Sequence, residues 1–462
     1  MKRTTKRSAV LLVLGLILAA CGAAEDDPAT TGAPTTTAEA PQTTEGGSPG
    51  TTEGGDEDMG IATDVGVDLD AGTITIGLLS DLTGVFSSLV QPVVDGYEAA
   101  VDEINAQGGI GGLMIELEVK DTGYSVETHV QQYTAIRDNV VALGHSVGSP
   151  HTVATMEMLV EDNMLAVPLT WYSGWSDPAL NQNLIAHGAP YCIEAMNTIG
   201  YMLSQSPDAK TIAIASNAGD FGEDSAEGAK LAAEELGLEV VYDGQAKINA
   251  ADQATLDEVT TGIVGAKPDI AWVTTSPSAF AGIYGQLVAG GVQPLYSGSF
   301  VAWNAAFLAP DFPLREAVEK AWVFSLPFAP WGADNPGTKA AVALLEKAIP
   351  DVPKYEYYLE GVAEARLMEQ ILIKAHESGD MTRAGVLAAA KSLDVVSLGG
   401  LWPDQNYSGE PNETVQRKVN IVRPSIADLE AGGSGLELLE ADYTSDIAAK
   451  YQFDKTCFEA FE

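Results

Sequence analysis

The stretch Ile74–Asp121 constrains this chain more than any other, because it spells out one complete βαβ unit. Thr73–Leu79 is a β-branched, apolar run that ends in the polar turn Ser80-Asp81-Leu82-Thr83-Gly84. Apolar residues then recur at helical spacing through Val93, Val94, Tyr97, Val101 and Ile104. Asn105-Ala106-Gln107-Gly108-Gly109 stops that helix, and Met114–Val119 supplies a second strand. A strand, a crossover helix and a second strand in this order predict a parallel sheet.

The same rhythm continues. Asn139–Gly144, Met164–Thr170, Thr211–Ala215, Leu238–Tyr242, Ile270–Thr274 and Pro294–Ser297 read as strands, with His145–Pro150 as a small-residue turn. Helices are predicted at Val153–Asp162, from Pro190 to about Ser204, at Ser225–Leu236, at Ser278–Ala289 and at Tyr355–Lys374. Breaks rich in Gly or Pro fall at Ile185–Pro190, Ser325–Trp331 and Gly399–Asp404. The expected class is α/β with parallel sheets. Leu436–Tyr451, near the end, also reads as helical.

Ile74-x-Ile76-Gly77, Leu82-Thr83-Gly84, Glu103-Ile104-Asn105-x-x-Gly108-Gly109-Ile110-x-Gly112 and the closing Asp121, in that order, resemble the opening of the ABC-transporter solute-binding proteins of the Leu/Ile/Val-binding type. The resemblance spans roughly Thr73–Pro424 and implies a type I periplasmic-binding fold: two Rossmann-like lobes joined by three hinge crossings at the breaks named above. Lobe 1 would comprise residues 73–187 and 328–402, lobe 2 residues 188–327 and 403–440, and residues 441–462 a tail. Gly361-Val362-Ala363-Glu364 stands where the family commonly has Gly-Tyr-Asp-Ala.

The beginning of the chain fits the same family. Lys2, Arg3, Lys6 and Arg7 precede the apolar run Ala9–Leu18, which is too short to span a bilayer. Leu18-Ala19-Ala20-Cys21 resembles a lipobox, so residues 1–20 are expected to be a signal peptide and Cys21 to carry the lipid that holds the protein outside the cytoplasm. Residues 21–72, without Lys or Arg and rich in Thr, Gly, Pro and acid, are expected to be a disordered tether, with the fold beginning near Thr73. The net charge of -41 disfavours nucleic acid as a partner. A monomer is expected. Cys192 and Cys457 remain as an even pair in an oxidising compartment, either bridged or as two buried thiols.

The resemblance also nominates ligand-binding residues, in loops at the carboxyl ends of parallel strands. In lobe 1 these are Ser149, in a segment where the family binds a ligand carboxylate, then Thr170, Trp171 and Tyr172, with Phe86 in the first βα loop. Thr152 reads as a helix cap. Trp171 and Tyr172 replace small residues of the family, and either lines the cleft or packs in the core. In lobe 2, Phe221 matches the aromatic of a D-x-Y-G-x-G turn, and Thr275 or Ser276 would donate to the ligand, with Ser278 a cap. The acidic partner for an ammonium group has no clear counterpart; Glu194 could substitute but reads better as a solvent-facing helix residue.

The implied function is capture of an amino acid, or of a related carboxylate or amide, for delivery to an ABC permease. The alternative is a tethered sensor built on the same fold. An enzyme is not expected, since G-x-S-x-G, H-E-x-x-H and P-loop motifs are absent. Nor is a cofactor or a metal. His145 and His151 fall near the cleft, but their spacing offers no obvious third ligand among His129, His187 and His376.

Overall fold

The computed structural model describes residues 60–459. Its first sheet contains β1 (Val67–Asp68), β2 (Thr73–Ser80), β3 (Met114–Asp121), β4 (Ala142–Val147) and β5 (Leu165–Leu169). The four longer strands are all parallel, in the spatial order β3-β2-β4-β5, and β1 folds back antiparallel on the start of β2. The second sheet repeats the plan with β6 (Thr211–Asn217), β7 (Glu239–Ile248), β8 (Ile270–Thr274) and β9 (Leu295–Ser297). Its order is β7-β6-β8-β9, again all parallel. In both sheets the chain starts at an inner strand, steps to one side and then returns to the other. The point of reversal lies between β2 and β4 and between β6 and β8, where ligands sit in open α/β sheets.

Strand interiors explain the pairing. β4 and β8 are buried along their whole length, as expected of central strands covered by helices on both faces, and the edge strand β5 is buried as well. Helix α1 (Ser87–Ala106) follows β2, α2 (Ser149–Glu161) follows β4, α3 (Tyr191–Gln205) follows the first crossing and α4 (Asp220–Leu236) follows β6. The longest helix, α5 (Glu356–Glu377), returns to the first lobe and packs on α1. Two glycines permit that contact: a Cβ on Gly96 would stand 2.1 Å from the Tyr358 carbonyl oxygen, and one on Gly361 would stand 1.8 Å from that of Val93. Gly361, one of the residues that carried the family resemblance, therefore serves helix packing.

The chain ends in a third, antiparallel sheet of β10 (Phe324–Leu326), β11 (Val419–Pro424) and β12 (Leu436–Tyr443). The helix expected over Leu436–Tyr451 is corrected here. Its first half is strand because it supplies the outer partner of β11, and only Asp446–Lys450 is helical. The proposed boundary at residue 440 thus falls inside a strand. Two further differences concern the start of elements. The fold already includes residues ahead of Thr73: Ala62–Thr63 pairs with Asp380–Met381, and Val67, paired with Ile74, is buried. His145 lies in β4 rather than in a turn, and α2 begins at Ser149, because the chain bends only at Gly148, whose φ is 93°. The signal peptide, Cys21 and most of the expected tether lie outside the described residues.

Cys192, in the first turn of α3, is joined to Cys457, 265 residues away and with a Cα–Cα separation of 6.4 Å. Around that bridge, the Phe458 carbonyl accepts from the Tyr172 hydroxyl at 2.7 Å, and the Cys457 N–H donates to Ser173 Oγ at 2.9 Å. The tail is therefore stapled to the start of α3 and to the loop that follows β5. Disulfides typically stabilise by about 2–4 kcal/mol, and the chain-entropy account puts the upper end for so long a loop above about 4.7 kcal/mol. Cys192→Ser should lower the melting midpoint by a few degrees, and dithiothreitol should bring the wild-type protein to the same midpoint. Equal melting of wild type and variant in oxidising buffer would remove the bridge from the account.

Candidate functional site

Loops at the carboxyl ends of both sheets enclose a cavity of about 50 Å³, space for a few water molecules at most. Its first-lobe wall comprises Phe86, Leu89, Val90 and Val93 at the start of α1, Tyr124 after β3, Val147 and Gly148 after β4, and Leu169 and Trp171 after β5. The opposing wall comprises Phe221, in the first turn of α4, and Val301. Tyr191, on entering α3, and Tyr357, on α5, complete it. No charged side chain belongs to this lining.

The aromatic rings are interlocked rather than merely adjacent. Phe86 meets Phe221 edge-to-face across the cleft at 5.9 Å, and Tyr124 at 4.7 Å. Phe221 meets Tyr191 at 5.0 Å, and Trp171 meets Phe300 at 4.7 Å and Tyr191 at 6.1 Å. Edge-to-face pairs contribute about 0.5–1.5 kcal/mol each beyond their buried area. These rings occupy the room a ligand would take, so the lobes must part for one to enter.

Of the nominated residues, the structure brings Phe86, Trp171 and Phe221 together in the lining. Ser149 and Thr170 sit one layer behind. Their hydroxyls are bonded to each other, and Thr170 Oγ1 lies 3.3 Å from the Tyr191 hydroxyl. Tyr172 packs against Trp175 and anchors the tail, away from this cavity. Thr275 and Ser276 are buried with hydroxyls that make no hydrogen bond, and they do not join the lining. Trp171 Nε1 also lacks a partner. His145 and His151 serve different neighbourhoods: His145 is bonded to Ser80 and Glu364, whereas the His151 ring lies 4.3 Å from that of Tyr124.

Sequence reading missed Tyr124, Tyr191 and Tyr357, and treated Val93 only as a core position of α1. Tyr124 follows β3 directly, so its place at a strand's carboxyl end was a usable signal. Tyr357 comes from α5, far along the chain, and carried none.

Three buried carboxyls surround the second-lobe side. Glu194 is corrected from a solvent-facing residue: it is 2 % exposed, accepts the Phe300 N–H, and burial pushes its pKa up to about 8. It is enclosed because the first turn of α3 is covered on all sides. Asp224 accepts from Ser173 and from the Cys192 N–H, and burial raises it to about 7. Asp220, in the first turn of α4, is raised to about 7 by burial, and its Oδ2 has no hydrogen-bond partner. Its charge is felt by Tyr124 and Tyr191, both in the cavity wall.

The profile of the periplasmic binding protein family matches residues 73–428, more than half of the chain, and the chain belongs to that family. It is a family of extracytoplasmic solute-binding proteins of ABC transporters, not of enzymes. A Leu/Ile/Val-binding protein of Rhizobium johnstonii is 28 % identical over 205 residues, 43 % of this chain and 53 % of that protein. The match thus spans about half the length of this curated relative. Among solved structures, a fatty acid ABC transporter substrate-binding protein from Thermomonospora curvata is 26 % identical, with a TM-score of 0.76, covering 85 % of this chain and 97 % of its own. A branched chain amino acid ABC transporter protein from Thermus thermophilus with bound valine is 16 % identical, with a TM-score of 0.67 and coverage of 82 % and 98 %, and shares the fold. Among the described residues no helix is long and apolar enough to cross a membrane.

The raised carboxyls give a stability-versus-pH signature. Each holds its proton in the folded chain until about pH 7–8 but would lose it near pH 4 when unfolded. The folded state therefore binds more protons across that window, and this contribution to stability falls as pH rises from about 4 to 8. Denaturant midpoints should be lower at pH 8 than at pH 5, and Asp224→Asn should shrink the difference. An unchanged difference in Asp224→Asn would mean that Asp224 is not held neutral.

Proposed function

We propose that this protein captures a small apolar acid, of the fatty-acid class, between its lobes and delivers it to an ABC permease, while held to the membrane by lipid on Cys21. One observation carries the ligand class: the cavity lining contains no charged side chain. An amino acid brings an ammonium group, and burying that charge without a carboxylate partner costs several kcal/mol. An acyl chain instead gains about 0.8 kcal/mol for each methylene it buries. The Tyr124 and Tyr191 hydroxyls and the amino end of α2 beside Gly148 provide donors for a carboxylate. The likeness to a fatty acid binder along nearly all of that chain supports the same class.

Asp220 favours a second reading. It is an acid with an unpartnered oxygen beside two residues of the lining, and it would suit the ammonium of a branched-chain amino acid. The sensor alternative uses the same cavity and differs only in its partner.

A thermal-shift panel separates the two ligands. Decanoate and 4-methylpentanoate should raise the melting midpoint by several degrees at saturating concentration, and leucine should not. Phe221→Ala should weaken binding of the acid roughly tenfold or more while leaving the fold intact. Stabilisation by leucine that disappears in Asp220→Asn would establish the second reading in place of the first. Cys21→Ser should leave the protein in the soluble fraction after cell rupture; continued sedimentation with membranes would defeat the lipid anchor.

A further inference from the structure

Behind Trp171, on the side away from the ligand cavity, two crossings meet α5 around three side chains that the ligand site does not use. His187 comes from the first crossing. Glu360 and Glu364 lie one turn apart on α5 and therefore share a face. All three are buried, at 2 %, 0 % and 0 % exposure. His187 Nε2, Glu360 Oε1 and Glu364 Oε1 make no hydrogen bond, and one ligand atom from each residue can be chosen so that all lie within 4.8 Å of one another. His187 Nε2 stands 3.4 Å from Glu364 Oε1, and His187 Nδ1 stands 3.4 Å from Glu360 Oε1. Both contacts lie within ion-pair distance without forming hydrogen bonds.

The outward atoms of the same carboxylates are fully engaged. Trp402 Nε1, from the third crossing, donates to Glu360 Oε2 at 2.8 Å. His145 Nδ1 lies 3.1 Å from Glu364 Oε2, and its Nε2 is bonded to Ser80 Oγ at 2.6 Å. The Trp402 ring stacks on the His187 ring at 4.4 Å with a 4° tilt, and Trp171 meets the other side edge-on at 5.6 Å. The inner oxygens thus face His187 without a hydrogen bond while the outer ones are fixed, the arrangement that orients carboxylates toward a metal. Among the described residues no Lys or Arg pairs with Glu360 or Glu364; the positive charge that can face these buried carboxylates is a proton on His187 or His145, and a cation bound between them would take the place of the one on His187.

We propose that His187, Glu360 and Glu364 bind one divalent cation of the zinc type, with a fourth position left for water. Zinc takes nitrogen and oxygen ligands at about 2.0–2.2 Å in a tetrahedron, whose edges are then about 3.3–3.5 Å long. The separation of His187 Nε2 from Glu364 Oε1 already has that value, and a modest inward shift of Glu360 completes the set. The ion would tie the first crossing directly, and the third through Trp402, to the helix that packs on α1. Because Trp171 touches both His187 and the ligand cavity, the ion would also stiffen one wall of the ligand site.

The test uses the full chain, purified in detergent without a histidine tag, stripped with EDTA and titrated with zinc chloride. Calorimetry and elemental analysis should give one zinc per chain, and the melting midpoint should rise on zinc addition and fall back with chelator. His187→Gln and Glu360→Gln should each weaken zinc binding roughly tenfold or more, whereas His376→Gln should not change it. The readout involves no transported ligand, so its outcome is independent of the fatty-acid reading. Substoichiometric zinc with no shift of the midpoint would overturn the site, as would unchanged affinity in both His187→Gln and Glu360→Gln. Replacement of zinc by manganese or cobalt in the titration would distinguish a site with no preference for zinc, and equal affinity for all three would contradict the zinc-type assignment.

Discussion

A parallel strand cannot be joined to its neighbour by a tight hairpin; it needs a crossover long enough for a helix. Everything about the ligand site depends on that constraint. Each crossover leaves a loop at the carboxyl end of its strand, and the two sheets of this protein repeat one strand order, so equivalent loops arise in both. Phe86 and Gly148 flank the reversal point of the first sheet, and Phe221 that of the second. When these loops face each other they form a wall from sequence segments that are otherwise far apart.

What fills that wall decides the chemistry. The rings of Phe86, Tyr124, Trp171, Tyr191 and Phe221 form a continuous edge-to-face chain from one sheet to the other. An apolar ligand replaces ring–ring contacts with ring–chain contacts and gives up little on entry. A charged ammonium has no equivalent compensation within the lining. The acids that are present, Asp220, Asp224 and Glu194, stand one layer back and are pushed toward neutrality by burial, which further reduces their pull on a cation at neutral pH.

Much of this was legible from residues alone. Ile270–Thr274 is recovered with the same limits, and β2, α1 and β3 emerge from period and turn residues because local preference and tertiary role agree there. Phe86, Trp171 and Phe221 reach the cavity because their positions after strands fix their side of the sheet. The misses are of another kind. Leu436–Tyr443 becomes strand because the neighbouring β11 offers an unpaired edge, and β11 is itself held in place by β10, about ninety residues earlier. Glu194 has helical spacing compatible with solvent, and the chain that bonds it at Phe300 comes more than a hundred residues later. Tyr357, Glu360 and Glu364 take their roles from how α5 docks on α1, and a single sequence carries no trace of that docking beyond Gly96 and Gly361.

The chemical nature of the molecule that the lobes would hold decides between a fatty acid and an amino acid. The most direct test is native mass spectrometry of the protein isolated without denaturation, followed by extraction and identification of whatever leaves with it. An uncharged cavity wall requires a released molecule with an apolar chain and an acid group but no basic nitrogen. Recovery of a free amino acid at one equivalent per chain would contradict that reading and transfer the weight to Asp220.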